Sequence, residues 1–264
     1  SVRTSDLLTN SKSEWSGSDF NRYRSHSLMG VQIIAVGSYV PDNIVTNEEL
    51  EKTRGFSPDW IVQRTGISSR HIVRPGQATA DMCVQAAKRA MSQAHVSPSD
   101  IDLIVVGTFT PDYTCPSTAA LVQHELGIFA PAMDVQAACT GFIYALVTAA
   151  QFVATGNSKM ALVIGGDTNS SVADPTDRQT APILADGAGA VILTAGTARQ
   201  GLLRYTMGSD GGGGPFLRRL VGGSKFPGNE RDFAAGLQYL HMDGKQVFKW
   251  AVRAQIETVT RLLS

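Results

Sequence analysis

The strongest constraint on the fold is a set of short apolar runs that do not alternate with polar residues. Residues 101–108 read Ile-Asp-Leu-Ile-Val-Val-Gly-Thr, and 159–165 and 188–194 are two more such runs. A strand covered on one face alternates, whereas a run without alternation is buried on both faces of a sheet. Two further strands are predicted at 31–40, ending at Pro41, and at 132–136. Helices are predicted between them at 47–53 and 58–64, with Asn47 and Ser57 as N-caps, and at 79–95 as a longer amphipathic segment. Residues 117–126 form another helix, closed by Gly127, and a long apolar helix begins at Cys139 and ends at Gly156. Strands separated by helices specify a mainly parallel, layered α/β fold.

After Ala195 the pattern restarts. Residues 201–209 resemble the first strand, a Gly-rich stretch follows, and 241–264 form a long helix with Phe248, Val252, Ile256, Val259 and Leu263 on one face. In the first half the matching helix, 79–95, leads into the buried strand from 101. In the second half the sequence stops inside the helix, where the repeat calls for another strand. The expected organisation is therefore a first half at 29–200 and an incomplete second half at 201–264. Residues 1–28 are rich in Ser and Asn and lack a signal peptide's apolar core. They read as a disordered extension ahead of Met29.

Composition narrows the function. Lys plus Arg and Asp plus Glu both total 23 in 264 residues, so no global basic field points to nucleic acid or a membrane surface. The apolar stretch 137–154 contains Thr140, Tyr144, Thr148 and Gln151 and lies between strands, which predicts a fully buried helix rather than a membrane span. Cys83, Cys115 and Cys139 are far apart and match no metal-ligand spacing. A disulfide framework is not expected, and a reducing, cytoplasmic compartment is. The five histidines show no metal or triad pairing, there is no G-x-S-x-G elbow, and Gly211–Gly214 lacks the Lys-Ser/Thr of a phosphate loop. Neither metal nor cofactor is expected.

Cys139 is the candidate nucleophile. It lies in Asp134-Val135-Gln136-Ala137-Ala138-Cys139-Thr140-Gly141-Phe142, where a strand turns into a helix. A helix N-terminus favours a thiolate, the form that attacks carbonyl carbon, and the small neighbours Ala137, Ala138 and Gly141 leave room for a substrate. The competing reading is a buried structural cysteine.

Five segments occur together in order: Trp60-Ile61-Val62-Gln63-Arg64-Thr65-Gly66-Ile67, the Cys139 segment, Asp174-Pro175-Thr176-Asp177-Arg178, Asp186-Gly187-Ala188-Gly189-Ala190, and Met242-Asp243-Gly244-Lys245-Gln246-Val247-Phe248. From about Met29 onward the chain resembles β-ketoacyl-acyl-carrier-protein synthase III, a condensing enzyme of the thiolase superfamily. The resemblance implies a five-layered αβαβα fold from two similar halves, normally a homodimer, that starts fatty-acid synthesis. Cys139 would take an acyl group from acyl-CoA. Malonyl-acyl-carrier protein would then decarboxylate and attack the acyl-enzyme in a Claisen condensation. The family's catalytic His and Asn fall beyond Ser264, so these residues would load an acyl group without completing the condensation.

The resemblance also assigns binding roles. Trp60, Arg64 and Arg178 match positions that bind the CoA nucleotide, where an indole and guanidinium groups can hold adenine and phosphate. Phe248 matches a residue near the substrate tunnel, though it also fits the helix's apolar face. Lys245, Lys249 and Arg253, at i, i+4 and i+8, form a basic stripe for the acidic carrier protein, or a solvated helix face. Cys115 stands where the family often has Phe, at a position that can reach the partner subunit's acyl pocket, so a longer or branched primer is implied. His241 aligns with a non-catalytic position. Two alternatives stay open: a polyketide-priming synthase with the same cysteine chemistry, and a non-catalytic acyl-binding or dimerising fragment.

Overall fold

The structure, a computed structural model, describes residues 23–264. Most of the expected N-terminal extension, 1–22, lies outside the described residues. The remainder of it is ordered, contrary to expectation: β1, His26–Met29, is a strand that pairs with β9, Gly201–Tyr205. Tyr23 donates its hydroxyl to Ser209 O at 2.7 Å, and Thr206 donates to Arg24 O at 3.0 Å.

Two compact units divide the chain. The larger comprises Ser27–Ser171 and Pro182–Leu203. The smaller comprises Val172–Ala181, Arg204–Ser264 and the described residues up to His26. One division thus falls between Leu203 and Arg204, and the segment bearing Arg178 belongs to the smaller unit.

The larger unit is built on a five-stranded sheet in the order β2-β8-β7-β5-β6. Its strands are β2 (Val31–Tyr39), β5 (Leu103–Gly107), β6 (Ala132–Val135), β7 (Met160–Thr168) and β8 (Asp186–Ala195). β5 runs parallel to both β6 and β7, but β8 is antiparallel to β7 and to β2. The sheet is mixed, which corrects the expectation of a mainly parallel one. Asp186 pairs with Thr168, so the chain re-enters the sheet at the end it left and must run antiparallel. An apolar run reports burial on two faces and carries no direction.

That double burial is explicit in the packing. Ile104, Val106, Leu162, Ile164 and Ile192 face α3 (Thr79–Ala94) and α4 (Thr118–Glu125). Leu103, Val105, Ala161, Val163 and Leu193 face α5 (Gly141–Ala154), which answers with Ala145, Ala149, Ala150 and Val153. Small residues on α5 bring the helix close to the sheet. Its other side leaves Ile143 and Phe152 exposed, so the helix is not fully buried as expected.

Before α3, a hairpin of β3 (Ile44–Thr46) and β4 (Ser69–His71) encloses α1 (Asn47–Arg54) and α2 (Pro58–Thr65). Ser57 caps α2 as predicted. The cap of α1 is Thr46, whose hydroxyl accepts from Glu49 N at 3.2 Å. Asn47 turns inward instead, donating to Ile67 O at 2.8 Å and accepting from buried Arg70.

In the smaller unit, β10 (Leu217–Arg219) pairs antiparallel with β11 (Leu240–Met242). A short helix, α6 (Glu230–Ala234), lies between them, and α7 (Gly244–Leu263) follows. His241 is on β11, not in the helix. Asp243 caps α7 by accepting from Gln246 N at 3.1 Å, so the helix starts three residues later than its periodicity suggests. Among the described residues no helix is long and apolar enough to cross a membrane.

Candidate active site

Cys139 sits in a one-turn 3₁₀ segment, Ala138–Thr140, between the end of β6 and the start of α5. The helix therefore begins two residues after the cysteine rather than at it. Ala138 has φ +45°, a left-handed conformation that is uncommon without a glycine. The chain reverses sharply there and lifts Cys139 into an exposed position, which removes the buried-cysteine reading. No side-chain cap closes the first turn of α5, although its first N–H, that of Gly141, already donates to Ala138 O.

Glycines seat this elbow. A Cβ on Gly107, at the end of β5, would lie 2.5 Å from the carbonyl carbon and oxygen of Gly141 and 2.8 Å from Phe142 N. A Cβ on Gly165 of β7 would lie 2.8 Å from Phe142 Cβ. Gly107, at the end of β5, and Gly165, within β7, are thus small enough for the first turn of α5 to rest on the sheet. Cys139, Phe142, Gly107, Gly165 and Asp167 share the wall of a cavity of about 570 Å³.

The segment carrying Cys115 runs from β5 to α4. Its first residues converge on one oxygen: Asp167 Oδ1 accepts from Thr108 Oγ1, Phe109 N and Thr110 Oγ1 at 2.9 Å each, and from Thr110 N at 3.3 Å. Thr79 Oγ1 adds bonds to Thr110 O and Thr168 Oγ1 at 2.6 and 2.8 Å. At the far end Asp134 accepts from Thr118 N and Ala119 N at 2.8 and 2.7 Å. Cys115 itself is exposed. Cys83 differs from both other cysteines: it is fully buried, and burial, reinforced by Asp112, Asp167 and Asp134, pushes its thiol far up.

Trp60 and Arg64 are exposed on α2, one turn apart, with the guanidinium carbon 5.7 Å from the indole centroid, within cation–π range. Arg178 is exposed beside two Asx turns, in which Asp174 accepts from Thr176 N and Oγ1 and Asp177 from Gln179 N. On α7, Phe248 is 73% exposed, and Lys245 and Lys249 are exposed without an ion pair among the described residues. Arg253 pairs with Glu257 at 2.7 Å, so the basic stripe presents two unpaired cations rather than three. Cys139 and the Asp167 anchor of the Cys115 segment meet at one cavity. The nucleotide and carrier-protein candidates are placed on elements of their own.

Four residues of the site escape a reading of the sequence by residue type: Gly107, Asp134, Ala138 and Asp167. Gly107 interrupts an apolar run and Asp134 opens the cysteine segment, which are the only signals either leaves.

Comparison with known proteins agrees with this geometry. A family model described as 3-oxoacyl-[acyl-carrier-protein] synthase III matches residues 133–211, the span from β6 through the cysteine elbow to β9. A β-ketoacyl-[acyl-carrier-protein] synthase III of Rhodopirellula baltica is 47% identical over 255 residues, covering 90% of this chain and 74% of that protein. The crystal structure of 3-oxoacyl-(acyl carrier protein) synthase III from Pseudomonas aeruginosa superposes with a TM-score of 0.77 at 34% identity, covering 89% of this chain and 70% of the other. A priming β-ketosynthase from a polyketide biosynthetic pathway gives 0.76 at 32% identity, with 89% and 70% coverage. The fold is accordingly the thiolase-like α/β arrangement of these enzymes. The chain belongs to the β-ketoacyl-acyl-carrier-protein synthase III family.

Proposed function

We propose that this chain takes an acyl group from acyl-CoA onto Cys139 and serves the decarboxylative Claisen condensation with malonyl-acyl-carrier protein that initiates fatty-acid synthesis. The observation that carries the reading is the exposed Cys139, raised on a left-handed Ala138 over a cavity and seated on glycines of β5 and β7, in a chain of this family.

The chemistry follows from that placement. The Cys139 thiolate attacks the thioester carbonyl carbon. The carbonyl oxygen takes the negative charge and is stabilised by backbone N–H donors at the elbow, among them that of Cys139. Collapse expels CoA as its thiol and leaves the acyl group as a new thioester. In the second stage malonyl-acyl-carrier protein loses CO₂, its carbanion attacks the acyl-enzyme carbonyl, and the Cys139 thiolate departs.

Trp60 and Arg64 hold the CoA nucleotide, and Arg178 and Phe248, in the smaller unit, are each CoA-binding candidates by the family resemblance. Lys245 and Lys249 receive the acidic carrier protein, with Arg253 a weaker partner because Glu257 already engages it. Cys115, small where a Phe would fill space, leaves room for a longer or branched acyl group. The working form is a cytoplasmic homodimer. A second reading, priming of a polyketide, is favoured by the likeness to the priming β-ketosynthase.

Intact mass after incubation with acetyl-CoA tests the first stage. Wild type gains one acetyl group and Cys139→Ser gains none. A folded wild-type chain that stays unmodified overturns the reading. An adduct supports loading at Cys139 whether or not these residues go on to transfer it to malonyl-acyl-carrier protein, and transfer only to a polyketide pathway's carrier marks the second reading.

A further inference from the structure

Asp134 occupies a position with two consequences. It lies on β6, five residues before Cys139 along a single strand-and-turn. Ala132 packs on the α3–α4 side of the sheet while Met133 and Val135 pack on the α5 side, so alternation sends the Asp134 carboxylate toward α4. There both oxygens are used, one for Thr118 N at 2.8 Å and one for Ala119 N at 2.7 Å. These are first-turn donors of α4, and they stand three and four residues after Cys115. The helix already has an ordinary cap, because Ser117 Oγ accepts from Ala120 N at 3.2 Å. Asp134 therefore does what the cap does not: it ties the end of the Cys115 segment to the strand that delivers Cys139.

The other end of that segment is tied in the same way. Asp167, at the end of β7 and in the wall of the Cys139 cavity, gathers Thr108, Phe109 and Thr110 on one oxygen. Two carboxylates thus fix both stems of the Cys115 segment to strands that frame the cysteine elbow. Charge-assisted bonds of this kind are short and directional, so they set distance as well as energy.

We propose that Asp134 is a positioning residue that fixes the Cys115 segment relative to the cysteine elbow, and that acyl-group selectivity in the homodimer depends on it, because that segment would reach the acyl pocket of the partner subunit. The selectivity part rests on the acyl-transfer reading above. The substrates concerned are acyl-CoAs that differ in the length or branching of the acyl group.

The test compares Asp134→Asn with Ser117→Ala in the full chain. An amide keeps one acceptor but turns an NH₂ toward the second backbone N–H, so one tie is lost. Ser117→Ala weakens the same helix terminus without touching β6. Two readouts are taken on Cys139: alkylation by iodoacetamide against a bulkier N-substituted iodoacetamide, and acylation by acetyl-CoA against isobutyryl-CoA. In Asp134→Asn both small-to-bulky rate ratios change by about threefold or more, while Ser117→Ala leaves them at the wild-type value even though it melts lower. Equal ratios in all three proteins, or equal changes in both variants, overturn the proposal, because a purely structural role lowers all rates together. Should Asp134→Asn fail to fold, Asp134→Glu, which keeps the charge but adds a methylene, is read by the same ratios. If wild type alkylates normally but takes no acyl group, the acyl-transfer reading fails, while the alkylation ratio still decides the positioning role.

Discussion

Replacing Gly107 with Ala is the sharpest perturbation of the cysteine elbow. The added Cβ would stand 2.5 Å from the Gly141 carbonyl, and ordinary contact begins at 3.4 Å. Both colliding groups are backbone, so no side-chain rotation relieves the clash. The first turn of α5 must retreat by about 0.9 Å, the difference between those two distances. Cys139 precedes Gly141 by two residues in the same tight turn and moves with it. Overpacking of this type costs about 1–3 kcal/mol, which for a protein of this size lowers Tm by roughly 2–10 °C. A shift of about 1 Å in a reacting group costs up to about 100-fold in rate. The assay is stopped-flow or quenched acetylation of Cys139 at saturating acetyl-CoA, beside thermal melting. Gly141→Ala is the paired control. Its Cβ would meet Gly107 no closer than 3.4 Å, so the same contact tolerates a methyl from the helix side. Gly107→Ala with wild-type acylation and a wild-type Tm would refute the seating argument. A lower Tm with unchanged acylation would show that the seat holds the helix without setting the nucleophile.

Three further outcomes are expected. Iodoacetamide under native conditions labels exposed Cys139 and Cys115 but not buried Cys83, whose thiol is shifted upward; a third adduct forms only in denaturant, and rapid triple labelling of folded protein would contradict the packing. Trp60→Ala raises KM for acyl-CoA by about tenfold with kcat nearly unchanged, since a nucleotide contact binds substrate and transition state alike; a fall in kcat at constant KM would remove Trp60 from the nucleotide site. At Asp102, burial pushes the carboxyl up, but bonds from Ser158, Lys159 N and Met160 N together outweigh it and leave it below its ordinary 3.8. A carboxyl lowered by folding contributes stability above its unfolded value and loses it as pH falls through the folded one. Asp102→Asn therefore destabilises at pH 7, by about 1 kcal/mol or less given solvent screening, and the difference from wild type shrinks below about pH 4; a pH-independent difference in urea melts would refute the linkage.

What the sequence made legible and what it hid divide along a physical line. The non-alternating runs 101–108 and 188–194 announced strands covered on both faces, and β5 and β8 are such strands. Direction is another matter. It is set by which end of the sheet a connection returns to, and nothing in the composition of β8 records that it pairs antiparallel with β7. Caps show the same split. Ser57 was legible because Pro58 fixes the first turn after it, whereas Thr46 and Asn47 are both competent caps, and only the tertiary partners Ile67 and Arg70 draw Asn47 inward.

The site repeats this division more sharply. Cys139 was visible because a thiol between a strand and a helix carries its chemistry in its own side chain. Gly107 and Asp134 act only through what they approach. Gly107 matters because Gly141, 34 residues later, comes to rest on it, and Asp134 because its oxygens meet two amides 15 and 16 residues earlier. The two glycines of the Gly107–Gly141 contact look interchangeable as letters. One has backbone 2.5 Å from its missing Cβ and the other has 3.4 Å, so the tolerance of the elbow to a single methyl is decided by the direction in which each Cα points. The positions that hold a nucleophile in place are therefore the ones least marked by residue type, and a survey of this elbow for reactive side chains alone stops at Cys139.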